Sequence, residues 1–209
     1  MNIDELIYWL NIIGTIAFAI SGSLLAGRKN MDIVGFIFIA TVTGVGGGTL
    51  RDVILDQPVF WVVDPSILYV CALSAIFTFW VTLNSKILMS TLIWFDAMGL
   101  ALFTIIGTQK AISVGAPYSV AALMGIMSAS FGGIMRDVIC NEIPVLLQKE
   151  IYITASLIGA IAFAIGHYLF GDNTWVTIFA FLICFGVRSL AIIFGLSFPE
   201  RATHKRPLQ

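Results

Sequence analysis

Gly46-Gly47-Gly48-Thr49-Leu50-Arg51-Asp52 lies inside a run of apolar residues long enough to be a membrane-spanning helix. Each glycine in a helix interior costs about 1 kcal/mol relative to alanine. A full charge in a span costs roughly 2.5–3.5 kcal/mol on insertion scales. A sequence carries both together only where something offsets the cost. The pattern returns as Phe131-Gly132-Gly133-Ile134-Met135-Arg136-Asp137. These two stretches are the main functional signal in the chain.

Their surroundings are those of a protein dissolved in lipid. Of 209 residues, 59% are hydrophobic and 11% are charged, with a mean hydropathy of +0.98. Soluble domains carry about 25% charged residues. The apolar runs are about 20 residues long, the length of a transmembrane helix. The net charge of −1 is uninformative about nucleic acid, but no basic domain is present, and no nucleic-acid partner is expected. Cys71, Cys140 and Cys184 are scattered through apolar runs without a CxxC spacing, and are read as small buried hydrophobes. The histidines are His167 and His204, and no HExxH, GxSxG or P-loop is present. The chain is therefore read as a non-enzyme without a resident metal. Asp4 and Glu5 stand where a signal peptide would carry basic residues, so the first apolar run is read as a retained span.

Working outward, the spans fall at about residues 6–27, 33–55, 66–83, 88–108, 117–140, 151–170 and 175–196, followed by a basic tail at 199–209. Arg28, Lys29, Lys86, Lys149, Arg201, Lys205 and Arg206 then lie on one side, and Lys110 alone on the other. Positive residues favour the cytoplasm, which puts the N-terminus outside and the C-terminus in the cytoplasm.

An 85-residue shift lays Gly14 on Gly99, Phe18 on Phe103, Gly22 on Gly107, and Gly47-Gly48 on Gly132-Gly133. It also lays Arg51-Asp52-Val53-Ile54 on Arg136-Asp137-Val138-Ile139, and Asn11 on Asp96. Spans one to three (6–83) thus match spans four to six (88–170). Three is odd, so the second copy enters the membrane from the opposite side. The fold expected is an all-α membrane protein of seven transmembrane helices, an inverted 3+3 repeat plus a seventh helix at 175–196. Such repeats place a solute pathway near the midplane.

The glycines are expected to interrupt their helices and free backbone groups, which hydrocarbon tolerates only where they are buried in protein or face water. Arg51 and Asp52 are sequence neighbours and do not face each other on a helix. The expectation is therefore a cross-repeat network of Arg51, Asp52, Arg136 and Asp137, with Thr43, Thr49 and Ser130 supplying oxygens to a cation. These Arg–Asp pairs read equally as pore lining or as clamps between helices. Asp96, in the middle of span four, belongs either to the pathway or to a pair with Arg188 in span seven. His167 is read as an interfacial residue.

The double Gly-Gly-x-x-Arg-Asp motif, the Pro58-Val59-Phe60-Trp61 that follows the first copy, and the three-plus-three repeat together resemble the trimeric intracellular cation (TRIC) channel family in its prokaryotic branch. The same domain has been labelled a bacterial glycine-transporter domain. The resemblance implies a homotrimer in the plasma membrane of a prokaryote, with one pore per subunit. It implies permeant potassium and sodium ions and no cofactor. Spans two and five would be kinked at Gly46, Gly47 and Gly48 and at Gly132 and Gly133, and would line the pore. Phe131, Ile134 and Met135 depart from the first copy. The alternative reading is a secondary transporter of a small solute such as glycine.

Overall fold

The computed structural model of the chain describes residues 3–82, 89–147 and 151–197. Lys86, Lys149, His204 and the basic tail, together with the boundaries drawn at 83 and 88, lie outside the described residues. The described chain forms helices α1 (Ile3–Arg28), α2 (Ile33–Ile54), α3 (Phe60–Val63), α4 (Ser66–Thr82), α5 (Met89–Ser113), α6 (Tyr118–Ile139), α7 (Ile153–Phe170) and α8 (Thr174–Phe194), with a short 3₁₀ turn at Val145–Leu147. Six of them (α1, α2, α5, α6, α7 and α8) are long and apolar enough to cross a membrane. Helix α4 is apolar but shorter, at 17 residues; at 1.5 Å per residue it reaches about 26 Å. The protein is an all-helical integral membrane protein.

The turns follow from local chemistry. The Asp32 carboxylate caps α2 by accepting from the Gly35 amide at 2.8 Å, and Asn173 caps α8 through the Trp175 amide at 2.9 Å. Helices α2 and α6 end alike. Asp56 and Asn141 both take φ of 52°, the left-handed conformation that short polar side chains tolerate. The amides of Gln57 and Glu142 then return to the carbonyls of Asp52 and Asp137, each at 2.8 Å.

The core is a pair of antiparallel crossings. On α1 and α5, the rings of Phe18 and Phe103 stack at 5.3 Å between centroids and 11° between planes. Each ring lies over a glycine of the opposite helix, Phe18 on Gly99 and Phe103 on Gly14. On α2 and α6 the backbones nearly touch. A Cβ built on Gly47 would fall on the Ser128 carbonyl, and one built on Gly132 would fall on the Thr43 carbonyl. Both members of each pair of contacts differ by 85 in residue number. The glycine stretches thus act as contact surfaces, as small residues do in membrane helix packing.

One expectation is corrected here. Helices α2 and α6 run as uninterrupted α-helices through their glycines, so the helical ladder is not opened at these positions. Surrounding helices hold the glycines in helical geometry, and Gly46, Gly47, Gly48, Gly132 and Gly133 are all buried.

Candidate functional site

Beyond each crossing, the C-terminal turn of its helix carries a buried charged centre. On α2, Arg51 is 2% exposed and Asp52 0%. The Arg51 Nε donates to Asp52 Oδ1 at 2.8 Å, and Lys110 Nζ on α5 reaches the same oxygen at 2.8 Å. The other carboxylate oxygen accepts from the Phe60 amide at 3.0 Å. The Arg51 guanidinium lies 5.9 Å from the centre of the Phe60 ring, and its Nη1 donates to the Ser128 hydroxyl of α6 at 3.5 Å.

The centre on α6 repeats this plan. Arg136 Nε donates to Asp137 Oδ1 at 2.7 Å, and Asp137 Oδ2 accepts from the Val145 amide at 3.1 Å. The Arg136 Nη1 donates to Asp96 Oδ1 on α5 at 2.6 Å and to the Ser21 hydroxyl on α1. The Tyr152 hydroxyl and Asp96 Oδ1 both face Gly133.

The expected cross-repeat ion network is therefore corrected. Each arginine pairs with the aspartate next to it in sequence, because its long side chain folds back over the last helical turn; among the described residues the arginine of one half reaches a serine of the other, and the ion pair that crosses between the halves here is Lys110 with Asp52. Asp96 pairs with Arg136 and not with Arg188, whose guanidinium lies over the Tyr152 ring at 5.2 Å and donates to the Ile151 carbonyl at 3.3 Å. His167 touches Tyr118 at 3.2 Å and Asp172 at 3.3 Å.

The hydroxyls of Thr43, Thr49 and Ser130 donate to the carbonyls of Ile39, Val45 and Ile126 at 2.6–2.7 Å. Their lone pairs point away from these bonds. Thr49 uses one to accept from Trp61 Nε1 at 2.8 Å.

Where the 85-residue correspondence fails, charge changes. Asn11 stands for Asp96, and Leu25 for Lys110. The α2 centre thus holds two cations against one carboxylate, and the α6 centre one cation against two. Space differs as well. A cavity of about 300 Å³ opens beside the first centre, lined by Asn11, Arg51, Gln109, Lys110, Ser113 and Asp172 with apolar Ile7, Phe60 and Ile106. The space around Ser130, Gly133, Arg136, Asp137 and Tyr152 is closed and too small for a water molecule.

Sequence reasoning missed Lys110, which the span boundary at 108 left in a loop. It also missed Ser21, Ser128 and Tyr152. The 85-residue shift pairs Ser128 with Thr43, which was the available signal for one of them.

Helices of this length, packed through glycines around buried ion pairs, define a polytopic membrane protein with a polar interior, and the comparisons narrow the class. The family model described as "Glycine transporter" matches twice, at residues 8–82 and 93–168. The UPF0126 inner membrane protein YadS of Escherichia coli K12 is 46% identical over 167 residues, covering 79% of this chain and 81% of its own. The UPF0126 membrane protein YvgT of Bacillus subtilis is 31% identical over 199 residues, covering 92% and 95%.

Among solved structures, the TRIC trimeric intracellular cation channel orthologue from Rhodobacter sphaeroides superposes with a TM-score of 0.88 at 40% identity, covering 91% of this chain and 99% of that one. A prokaryotic TRIC channel in 0.5 M KCl superposes with a TM-score of 0.87 at 31% identity, covering 93% and 99%. The chain belongs to this family, which the model describes as glycine transporters and whose solved members are TRIC cation channels.

Proposed function

We propose that the chain is a potassium- and sodium-conducting channel of the prokaryotic plasma membrane, with one pore inside each subunit of a homotrimer. Its fold is seven spans, α4 included, in an inverted three-plus-three repeat followed by α8. The N-terminus is outside and the C-terminus cytoplasmic. The double match of the family model and the contacts that recur at an 85-residue interval support the repeat. The pore is lined by α2 and α6. Gly46, Gly47, Gly48, Gly132 and Gly133 are the points at which these helices can bend, and Thr43, Thr49 and Ser130 are oxygen donors along the way.

The single observation that carries this reading is the tight α2–α6 crossing set between two buried charged centres, one open to a cavity and the other closed. Both aspartates are saturated by an arginine, a backbone amide and, at Asp52, a lysine. Bonds of this kind hold the ends of α2 and α6 in place, which favours the clamp role for the Arg–Asp pairs. Conduction then requires the packing around Arg136, Asp96 and Tyr152 to loosen. Purified protein in a planar bilayer under a potassium chloride gradient tests the proposal: unitary steps reversing near the potassium equilibrium potential support it, and their absence refutes it.

A transporter of a small solute such as glycine remains the second reading. The observation favouring it is a cavity at the α2 centre that does not continue to the closed α6 centre, alongside the description carried by the family model. Saturable glycine uptake in proteoliposomes without unitary currents distinguishes it.

A further inference from the structure

The cavity beside Arg51 poses a charge problem for a cation path. Arg51 of α2 and Lys110 of α5 line it, and Asp52 cancels only one of the two. The centre therefore presents a net positive charge, which opposes an entering cation. Helix α1 adds Ile7 and Asn11 to the lining, and no charge. The remaining charged residue of the lining is Asp172, in the turn between α7 and α8. Its side chain is 63% exposed, so its charge acts on the water at the cavity. Asp172 brings the sum of these charges to zero.

The surroundings of Asp172 make its effect adjustable. Gly171 takes φ of 66°, and its amide returns to the His167 carbonyl at 2.8 Å. This tight turn sets Asp172 over the end of α7, where its Oδ1 lies 3.3 Å from His167 Nε2. The other ring nitrogen, Nδ1, lies 3.2 Å from the Tyr118 hydroxyl at the start of α6. Phe163 of α7 flanks the ring at 6.2 Å. Among the described residues, Asp172 and Tyr118 are thus the titratable groups against the imidazole, and Arg51 and Lys110 are those that share the cavity with Asp172. A neutral imidazole satisfies both contacts, with Nε2–H donating to Asp172 and Nδ1 accepting from Tyr118. An imidazolium donates from both nitrogens, and the Tyr118 hydroxyl turns to accept. The two forms fit one geometry and differ in charge.

We infer that Asp172 is the carboxylate that draws cations into this cavity, and that His167 offsets it on taking up a proton. The inference rests on the channel reading and names a residue that sets cation entry for it. Histidine is the side chain whose charge ordinarily changes between about pH 5 and 8. With His167 neutral, the charges at the cavity cancel. With His167 protonated, they sum to one positive charge, and cation entry falls. Salt screens such exposed charges over about 10 Å at 0.1 M but over only about 3 Å at 1 M. The effect therefore belongs to low ionic strength.

Single-channel recording of the full chain in a planar bilayer tests it, in about 0.1 M potassium chloride at about pH 8 and about pH 5.5. The unitary conductance of the parent falls about threefold at the lower pH, the Boltzmann factor for one unit charge at about 6 Å in water. The fall disappears in about 1 M salt. Asp172→Asn removes the carboxylate and conducts about threefold less than the parent at the higher pH. His167→Gln keeps a donor and an acceptor but takes up no proton, and it conducts alike at both pH values; this separates His167 from His204, the other histidine of the chain. Melting temperatures near that of the parent check that both variants are folded. A parent conductance that ignores pH, an Asp172→Asn variant that conducts like the parent, or a His167→Gln variant that keeps the pH response each overturns the inference and leaves the channel reading standing. Silence of the parent at both pH values overturns the channel reading and this inference with it.

Discussion

Replacing Gly47 with alanine places a methyl group where the Ser128 carbonyl oxygen of α6 now sits. That oxygen is backbone inside a helix and cannot rotate away. The two helices must separate, which opens the packing at their crossing. Overpacking of this kind costs about 1–3 kcal/mol, with the upper end expected when the obstacle is rigid. Alanine returns up to about 1 kcal/mol of helix propensity. The net loss is about 2 kcal/mol, or roughly 4–8 °C at about 2–4 °C per kcal/mol for a domain of this size.

Gly132→Ala strikes the Thr43 carbonyl across the same interface and should cost a similar amount. Once one methyl has parted the helices, the second meets less resistance. The double variant should therefore lose clearly less than the sum of the two. Gly186→Ala is the control, since nothing lies within 4 Å of its added methyl; it should be neutral or slightly stabilising. Thermal unfolding in detergent, followed by loss of the monodisperse peak, reads the four variants against the parent. Gly47→Ala melting within 1 °C of the parent, or strict additivity in the double variant, would refute the close-crossing account.

Arg136→Met leaves Asp96 and Asp137 buried without their cation and should cost about 3–5 kcal/mol, with Asp96→Asn in the same chain recovering part of the loss; thermal melts of the single and double variants check this. Arg51→Ala and Asp137→Ala lie in separate centres, about 6–8 Å beyond the crossing along their helices. Their destabilisations should add within about 0.5 kcal/mol in a double-mutant cycle, and a larger coupling would reinstate a cross-repeat ion network.

At the opposite end from the cavity, Lys29 Nζ lies 2.8 Å from Glu142 Oε1. Bonding to Lys29 holds the Glu142 carboxyl below its usual value of 4.5. The folded state thus binds this proton less tightly than the unfolded one. The contribution is present above about pH 4.5, is lost as pH falls through the lowered value, and shrinks in salt. The acid limb of the pH–melting-temperature curve should therefore flatten in Glu142→Gln, most visibly at low ionic strength.

Much of this was legible in the sequence because membrane insertion leaves few options. Apolar runs near 20 residues had to be helices, and the shift that aligned Gly47 with Gly132 and Phe18 with Phe103 marked residues that meet across the core. Partner choice was not legible. Helical spacing places adjacent residues on different faces, so Arg51 and Asp52 looked unable to pair. The rule describes helix interiors, whereas these residues sit in a last turn, where a long guanidinium stem can fold back. The glycine stretches were read as breaks because propensity penalises them, while in the folded chain their lack of a side chain is what permits α2 and α6 to touch. The cavity beside Gln109 left no mark in the sequence, since an amide at the end of an apolar run looks like an ordinary interfacial residue.

The central claim is that α2 and α6 line the ion path and that their glycine crossing sets its width. Single-channel recording of the parent beside Gly47→Ala, in a planar bilayer with a potassium chloride gradient, tests it most directly. The account predicts unitary currents reversing near the potassium potential in the parent, and a changed unitary conductance in Gly47→Ala, because the added methyl parts the two helices that line the path. Identical unitary conductance in the two proteins would place the pathway elsewhere, and silence in the parent would contradict conduction itself.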